Sequence, residues 1–268
     1  MIPVTMQGVP VVLVHGWKSH PGIWNQLVPR LRHEGIPFWN FDQTPLNGAS
    51  VEEIATALQA GISKIRKERE YFGSIDIVCH SMGTCIARYM LEVLDGTTRC
   101  ERVRQLIGIG PPNNGSALAE LFNHPIYGQE IITKLSGVFV PHGYIPSDDL
   151  IVQQFRPNSS TMTTLASAGI RHDISYRIIC AANLSATPGF FPIFNGKTWE
   201  GSPASGWRQT YAGDGIVPHS DSILPGAALE ILPRDPSVLE QSSDEYCHIK
   251  LPRNPEVIDR IIEYLKNP

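Results

Sequence analysis

Short apolar runs that alternate with stretches of helical period constrain this chain more than any other feature. PVVLVHG (10–16), IPFWNF (36–41), IDIVCH (75–80), VRQLIGIG (103–110), SYRIICAAN (175–183) and ALEILP (228–233) are each too short for a helix and read as buried strands. Between them lie helical patterns. Ile23, Leu27 and Leu31 share helical spacing within 22–33. Ser50 and Glu53 form a capping box ahead of a stripe of Ile54, Leu58, Ile62 and Ile65. A second long helix runs from Met82 to Leu94 and stops at Gly96, and Asn254 with Pro255 opens a last one that turns Ile258, Ile261, Ile262 and Leu265 inward. Strands alternating with helices build a parallel sheet covered on both faces, its crossovers right-handed.

Two regions break the rhythm. Residues 111–174 show no strand pattern, and 184–213 are rich in Gly, Pro and aromatic residues. Excursions that long in a compact domain usually serve as lids or binding loops, so 1–268 is read as one domain and the two insertions as a lid or cap over its site. The opening residues MIPVTMQGVPVVLVHG carry no basic leader pattern, and no apolar run reaches the ~18 residues of a membrane span. With Cys79, Cys85 and Cys180 in apolar patterns and five cysteines in all, a reduced chain is expected, cytoplasmic or equally a mature secreted form. A net charge of -4 gives no electrostatic reason for a nucleic-acid partner.

The third run ends in CHSMGT and passes straight into a helix. A strand that turns into a helix through x-x-Ser-x-Gly makes a sharp elbow that lifts the Ser81 hydroxyl above the sheet and leaves the Met82 N–H facing a developing oxyanion. Gly83 fits the close passage of strand and helix, whereas Cys79 stands where glycine is usual. A serine hydroxyl needs a base, and an acid and a histidine follow in order: Asp214 in YAGDGIVP and His248 in YCHIKLP. VHGWKS after the first run supplies a second oxyanion donor, the N–H of Trp17, each donor being worth about 3 kcal/mol of barrier. Asp221 is the rival acid and Glu245 a distant third, and His219 is the weaker rival base. His15 and His80 read as loop braces, and Cys79 and Cys247 as packing residues. No metal-ligand spacing or cofactor motif is present, so neither group is expected.

LVHGW, CHSMGT, GDGIVP and CHIKLP together resemble an α/β-hydrolase of the bacterial lipase and esterase kind, across nearly the whole chain except the insertions. HSMGTCIARYML is similar to the lipase stretch HSMGG-x-x-AR, and PPNNGS to its TPH-x-GS segment. The resemblance implies Ser81 as nucleophile, Asp214 as acid, His248 as base, and Trp17 and Met82 as oxyanion donors. The acid loop GDGIVPHSDS also resembles that of calcium-binding lipases, but these have an aspartate two places after the histidine where this chain has Lys250, so their calcium site is not carried over.

GVFVPHGYIP (137–146) and PGFFPIFNG (188–196) are apolar and aperiodic, and over the site they would line an acyl groove through Phe139, Phe190 and Phe191. The expected substrate is an ester, small-molecule or lipid, met with transient contact at a lipid interface. Transfer to another acceptor, or action as a phospholipase, thioesterase or polyester hydrolase, stays open, as does a non-catalytic binding protein of the same fold. An aspartate at the elbow, which haloalkane and epoxide hydrolases carry, is absent.

Overall fold

Every residue of Val11–Val14 is buried, as in a strand covered on both faces. It forms β1, the first of six strands that pair in parallel throughout. The others are β2 (Phe38–Phe41), β3 (Ile75–His80), β4 (Val103–Ile109), β5 (Ser175–Ala181) and, beyond a separate antiparallel hairpin of β6 (Thr198–Ser202) and β7 (Gly206–Thr210), β8 (Ala228–Leu232). The computed structural model describes residues 8–202 and 206–268. Residues 1–7, part of the segment read for a leader, and 203–205, inside the second insertion, lie outside the described residues.

The helices are α1 (Leu27–His33), α2 (Val51–Glu68), α3 (Met82–Arg88), α4 (Ala117–Phe122), α5 (Gly128–Leu135), α6 (Leu150–Gln154), α7 (Ser160–Ala168), the short α8 (His219–Ser222) and α9 (Leu239–Ser242), and α10 (Pro255–Lys266). The pairs α1 with α10 and α2 with α3 flank the sheet. The capping box forms on α2: Ser50 Oγ accepts the Glu53 N–H, and the Glu53 carboxylate accepts the Ser50 N–H at 2.7 Å. Asn254 caps α10 by accepting from Glu256 and Val257. No helix among the described residues is long and apolar enough to cross a membrane.

Two elements differ from the sequence reading. Residues 22–33 split into a 3₁₀ turn, Pro21–Trp24, and α1, because Pro29 has no N–H to return to Asn25 and its ring would strike that carbonyl in a continuous helix. The helix that starts at Met82 widens to a π-helix over Tyr89–Asp95 before Gly96, at φ +42°, ends it.

The sheet order β2-β1-β3-β4-β5-β8 reverses direction at β1. The chain leaves β1 toward one edge to make β2 and returns on the other side as β3. The loops at the carboxyl ends of β1 and β3 therefore part company and open a crevice, the place where such sheets bind ligands.

Candidate active site

Ser81 stands at that crevice, between the last residue of β3 and the first of α3, with φ +55° and ψ −130°. A non-glycine residue in that region is strained and is held by its surroundings. The surroundings are tight. A Cβ on Gly83 would lie 2.5 Å from the His15 carbonyl oxygen and 2.7 Å from that of Val14, so only glycine lets α3 start against the end of β1. A Cβ on Gly16 would come within 3.0 Å of Ser81 Cβ. Cys79, two residues before the serine, is fully buried, and that burial pushes its thiol well above the ordinary range, as for a packing residue.

His248 Nε2 lies 3.0 Å from Ser81 Oγ, and His248 Nδ1 lies 2.7 Å from Asp214 Oδ2. Both ring and carboxylate are almost wholly buried. An ionised carboxylate only accepts, so Nδ1 carries the proton and Nε2 turns its lone pair to the serine hydroxyl. The second Asp214 oxygen accepts the N–H groups of Ile216 at 3.0 Å and Val217 at 2.7 Å, while the His248 N–H donates to the Asp214 carbonyl at 2.8 Å. Gly110, after β4 and at φ +54°, leaves room for this pair: a Cβ there would be 2.7 Å from Asp214 Oδ2 and 3.1 Å from His248 Nδ1. The sequence reading did not single out Gly110.

Trp17 and Met82, the two residues expected to offer backbone N–H groups to an oxyanion, line the same cleft as Ser81. Buried side chains fix the loop that carries Trp17. His15 Nδ1 donates to the Gly16 carbonyl at 3.0 Å, and Gln43, from the loop after β2, donates its carboxamide N–H to the His15 carbonyl at 2.7 Å. The Gln43 backbone N–H meets His15 Nε2 at 3.2 Å. Burial pulls the His15 pKa down and pulls that of His80 well down, the neighbouring His248 adding to the latter. Neutral His80 donates from Nε2 to the His248 carbonyl at 3.0 Å, its ring centroid 4.7 Å from that of His248. Gln43 too was missed in the sequence; nothing local marks a glutamine after a strand as a brace.

The rival groups have other partners. Asp221 accepts the Ala117 N–H at 2.6 Å, Glu245 pairs with Lys250 at 3.1 Å, and His219 Nε2 meets the Ala181 carbonyl at 3.0 Å. Of the aromatic residues expected at the groove, only Phe139 is there: it lines the cleft that holds Ser81 and meets the His248 ring edge-on at a centroid distance of 6.0 Å. Phe190 and Phe191 do not line it. Both are buried in the core, and Phe191 packs on Phe194 and into the space left by Gly215, where a Cβ would lie 2.6 Å from its ring. Their aromatic surface is consumed in holding the second insertion to the body. Among the described residues no group of three or more His, Cys, Asp or Glu is placed to hold a metal ion.

No family model and no curated relative matches the sequence. Solved structures do. A lipase of Bacillus licheniformis in its mature form is 15% identical with a TM-score of 0.66, over 98% of this chain and 94% of that one. A metagenomic carboxyl esterase is 17% identical at TM-score 0.60, over 98% and 78%. An α/β-hydrolase-fold protein from Burkholderia ambifaria is 13% identical at TM-score 0.51, over 96% and 91%. Likeness at such identities shows the fold, and the fold is that of the α/β hydrolases.

Proposed function

We propose that the chain is a serine carboxylic ester hydrolase that cleaves apolar acyl esters through an acyl-serine. The observation that carries this reading is the unbroken line from Ser81 Oγ through His248 to Asp214, with contacts of 3.0 and 2.7 Å, on a strained elbow. His248 takes the Ser81 proton as the oxygen attacks the ester carbonyl, and returns it to the departing alcohol. Asp214 holds the imidazole tautomer and stabilises the imidazolium. The Trp17 and Met82 N–H groups receive the oxyanion, and water, activated by the same histidine, then frees the acid. The likeness in fold to a lipase and a carboxyl esterase supports the reading. The insertion 111–174 acts as the cap, since its Leu118, Phe122, Phe139 and Phe155 wall the cleft beside Ser81.

Hydrolysis of p-nitrophenyl esters from acetate to palmitate by wild type and Ser81→Ala tests this. Wild type should cleave them, and the variant, equally folded by circular dichroism, should lose at least roughly 10⁴-fold in kcat. Full activity in the variant would exclude the acyl-serine.

A further inference from the structure

Two clefts, one mainly apolar and one of mixed lining, meet at Trp17 and Met82. The cleft that includes Ser81 is narrow, about 50 Å³, with apolar walls that include Leu118, Phe139, Ile216 and Val217. The other holds about 430 Å³ between the loops after β1 and β2, and Lys18, Gln43, Asn47, Asp148 and Asp149 line it. Trp17, Met82 and Ile151 belong to both, so an ester carbonyl seated at the two N–H groups has one cleft on each side.

The second cleft is mixed: Leu46, Ile54, Leu150 and Ile151 share its lining with those hydrogen-bonding groups. Lys18 Nζ lies 3.3 Å from Asp149 Oδ2 and 3.5 Å from Asn47 Oδ1, so the ammonium links the two loops that line the cleft. Gln43 is 6% exposed, and its carboxamide oxygen has no partner among the described residues. Two carboxylates stand against one ammonium, which disfavours a phosphate or carboxylate guest. A wholly hydrocarbon guest would find apolar wall at Leu46, Ile54 and Leu150, but would strip water from Lys18, Asn47 and Asp149 and offer no hydrogen bond in return, whereas the carbon skeleton of a polyol can meet the apolar wall while its hydroxyls meet the polar groups. Neutral hydroxyl groups donate and accept, and they suit this lining.

We propose that this cleft is a subsite for a neutral polyol. Ser81 lines only the apolar cleft, so the acyl group that it retains stays there and the leaving alcohol occupies the mixed one. The preferred substrate is then a polyol ester of a short apolar acid, a monoacylglycerol or acylated sugar, rather than an ester apolar on both sides. This rests on the ester-hydrolase reading.

The test compares kcat/KM for glyceryl monobutyrate and butyl butyrate, which share the acyl group. Wild type should favour the glyceryl ester by roughly 10-fold or more, as expected for hydrogen bonds to charged groups. Lys18→Met and Asn47→Leu, both at exposed loop positions, should each bring the ratio toward unity. A wild-type ratio near unity, or a ratio that neither variant changes, with p-nitrophenyl butyrate still cleaved, overturns the subsite alone. If p-nitrophenyl butyrate is also left intact, the ester-hydrolase reading falls and the subsite with it.

Discussion

At Gly110 the absence of a side chain decides whether two others can meet. A methyl group there would fall within 2.7 Å of Asp214 Oδ2, and φ +54° strains any L side chain. Gly110→Ala is expected to cost about 1–2 kcal/mol of stability from the backbone alone, and to lower kcat by roughly 100-fold as the His248–Asp214 pair shifts. Thermal unfolding and steady-state kinetics measure the two effects separately; unchanged kcat in a folded variant would contradict this account of the pair. Residues with a local signature were legible in the sequence. Ser81 follows a strand and precedes Gly83 and a helix, and the order of Asp214 and His248 is set by the fold. Gly110 and Gln43 were not legible, because a glycine or glutamine after a strand reads the same whether or not a long-range neighbour needs it.

Asp149 links two elements, and its two oxygens separate their roles. One caps α6 by accepting the Val152 N–H at 3.2 Å, and the other accepts the indole N–H of Trp17 at 3.2 Å. The insertion thus holds the loop that presents a candidate oxyanion donor. Asparagine caps helices about as well as aspartate, but its amide N–H₂ cannot accept from the indole. Asp149→Asn is therefore expected to keep the melting temperature while kcat falls several-fold; Asp149→Ala should lose both kcat and about 1 kcal/mol of stability. Equal kcat in wild type and Asp149→Asn would show that the indole contact does not position the loop. Elements with periodicity were legible from the sequence: all six sheet strands and the capped helices stand where apolar pattern and cap residues placed them. The hairpin β6–β7 was not, since TWEGS and GWRQT are short and mostly polar. Nor was the burial of Phe190 and Phe191, because composition says a segment is apolar without saying which apolar surface receives it.

Across the whole molecule, the parallel sheet gathers Trp17, Ser81, Asp214 and His248 from segments after β1, β3, β7 and β8, separated by up to 231 residues of chain. The same convergence places the partly buried Asp221 beside the start of α4, where it accepts the Ala117 N–H. Burial foremost, then the charges of Glu200 and Asp214, pushes its carboxyl up to about 7. The folded state therefore holds a proton that the unfolded chain releases near pH 4. Stability from this group is present below that value, falls as pH rises toward 7 and is level above it. Asp221→Asn keeps an acceptor for the Ala117 N–H and removes the titration. Relative to wild type, its stability should rise by on the order of a few kcal/mol between pH 4 and 7, read from denaturant unfolding at each pH; parallel curves would contradict the raised carboxyl. The most direct test of the acyl-serine itself is covalent trapping. Wild type treated with a fluorophosphonate and analysed by intact mass and peptide mapping should carry a single adduct on Ser81, absent from Ser81→Ala and formed far more slowly in His248→Ala. An adduct on another residue, or none while ester hydrolysis proceeds, would contradict the assignment of Ser81 as the nucleophile.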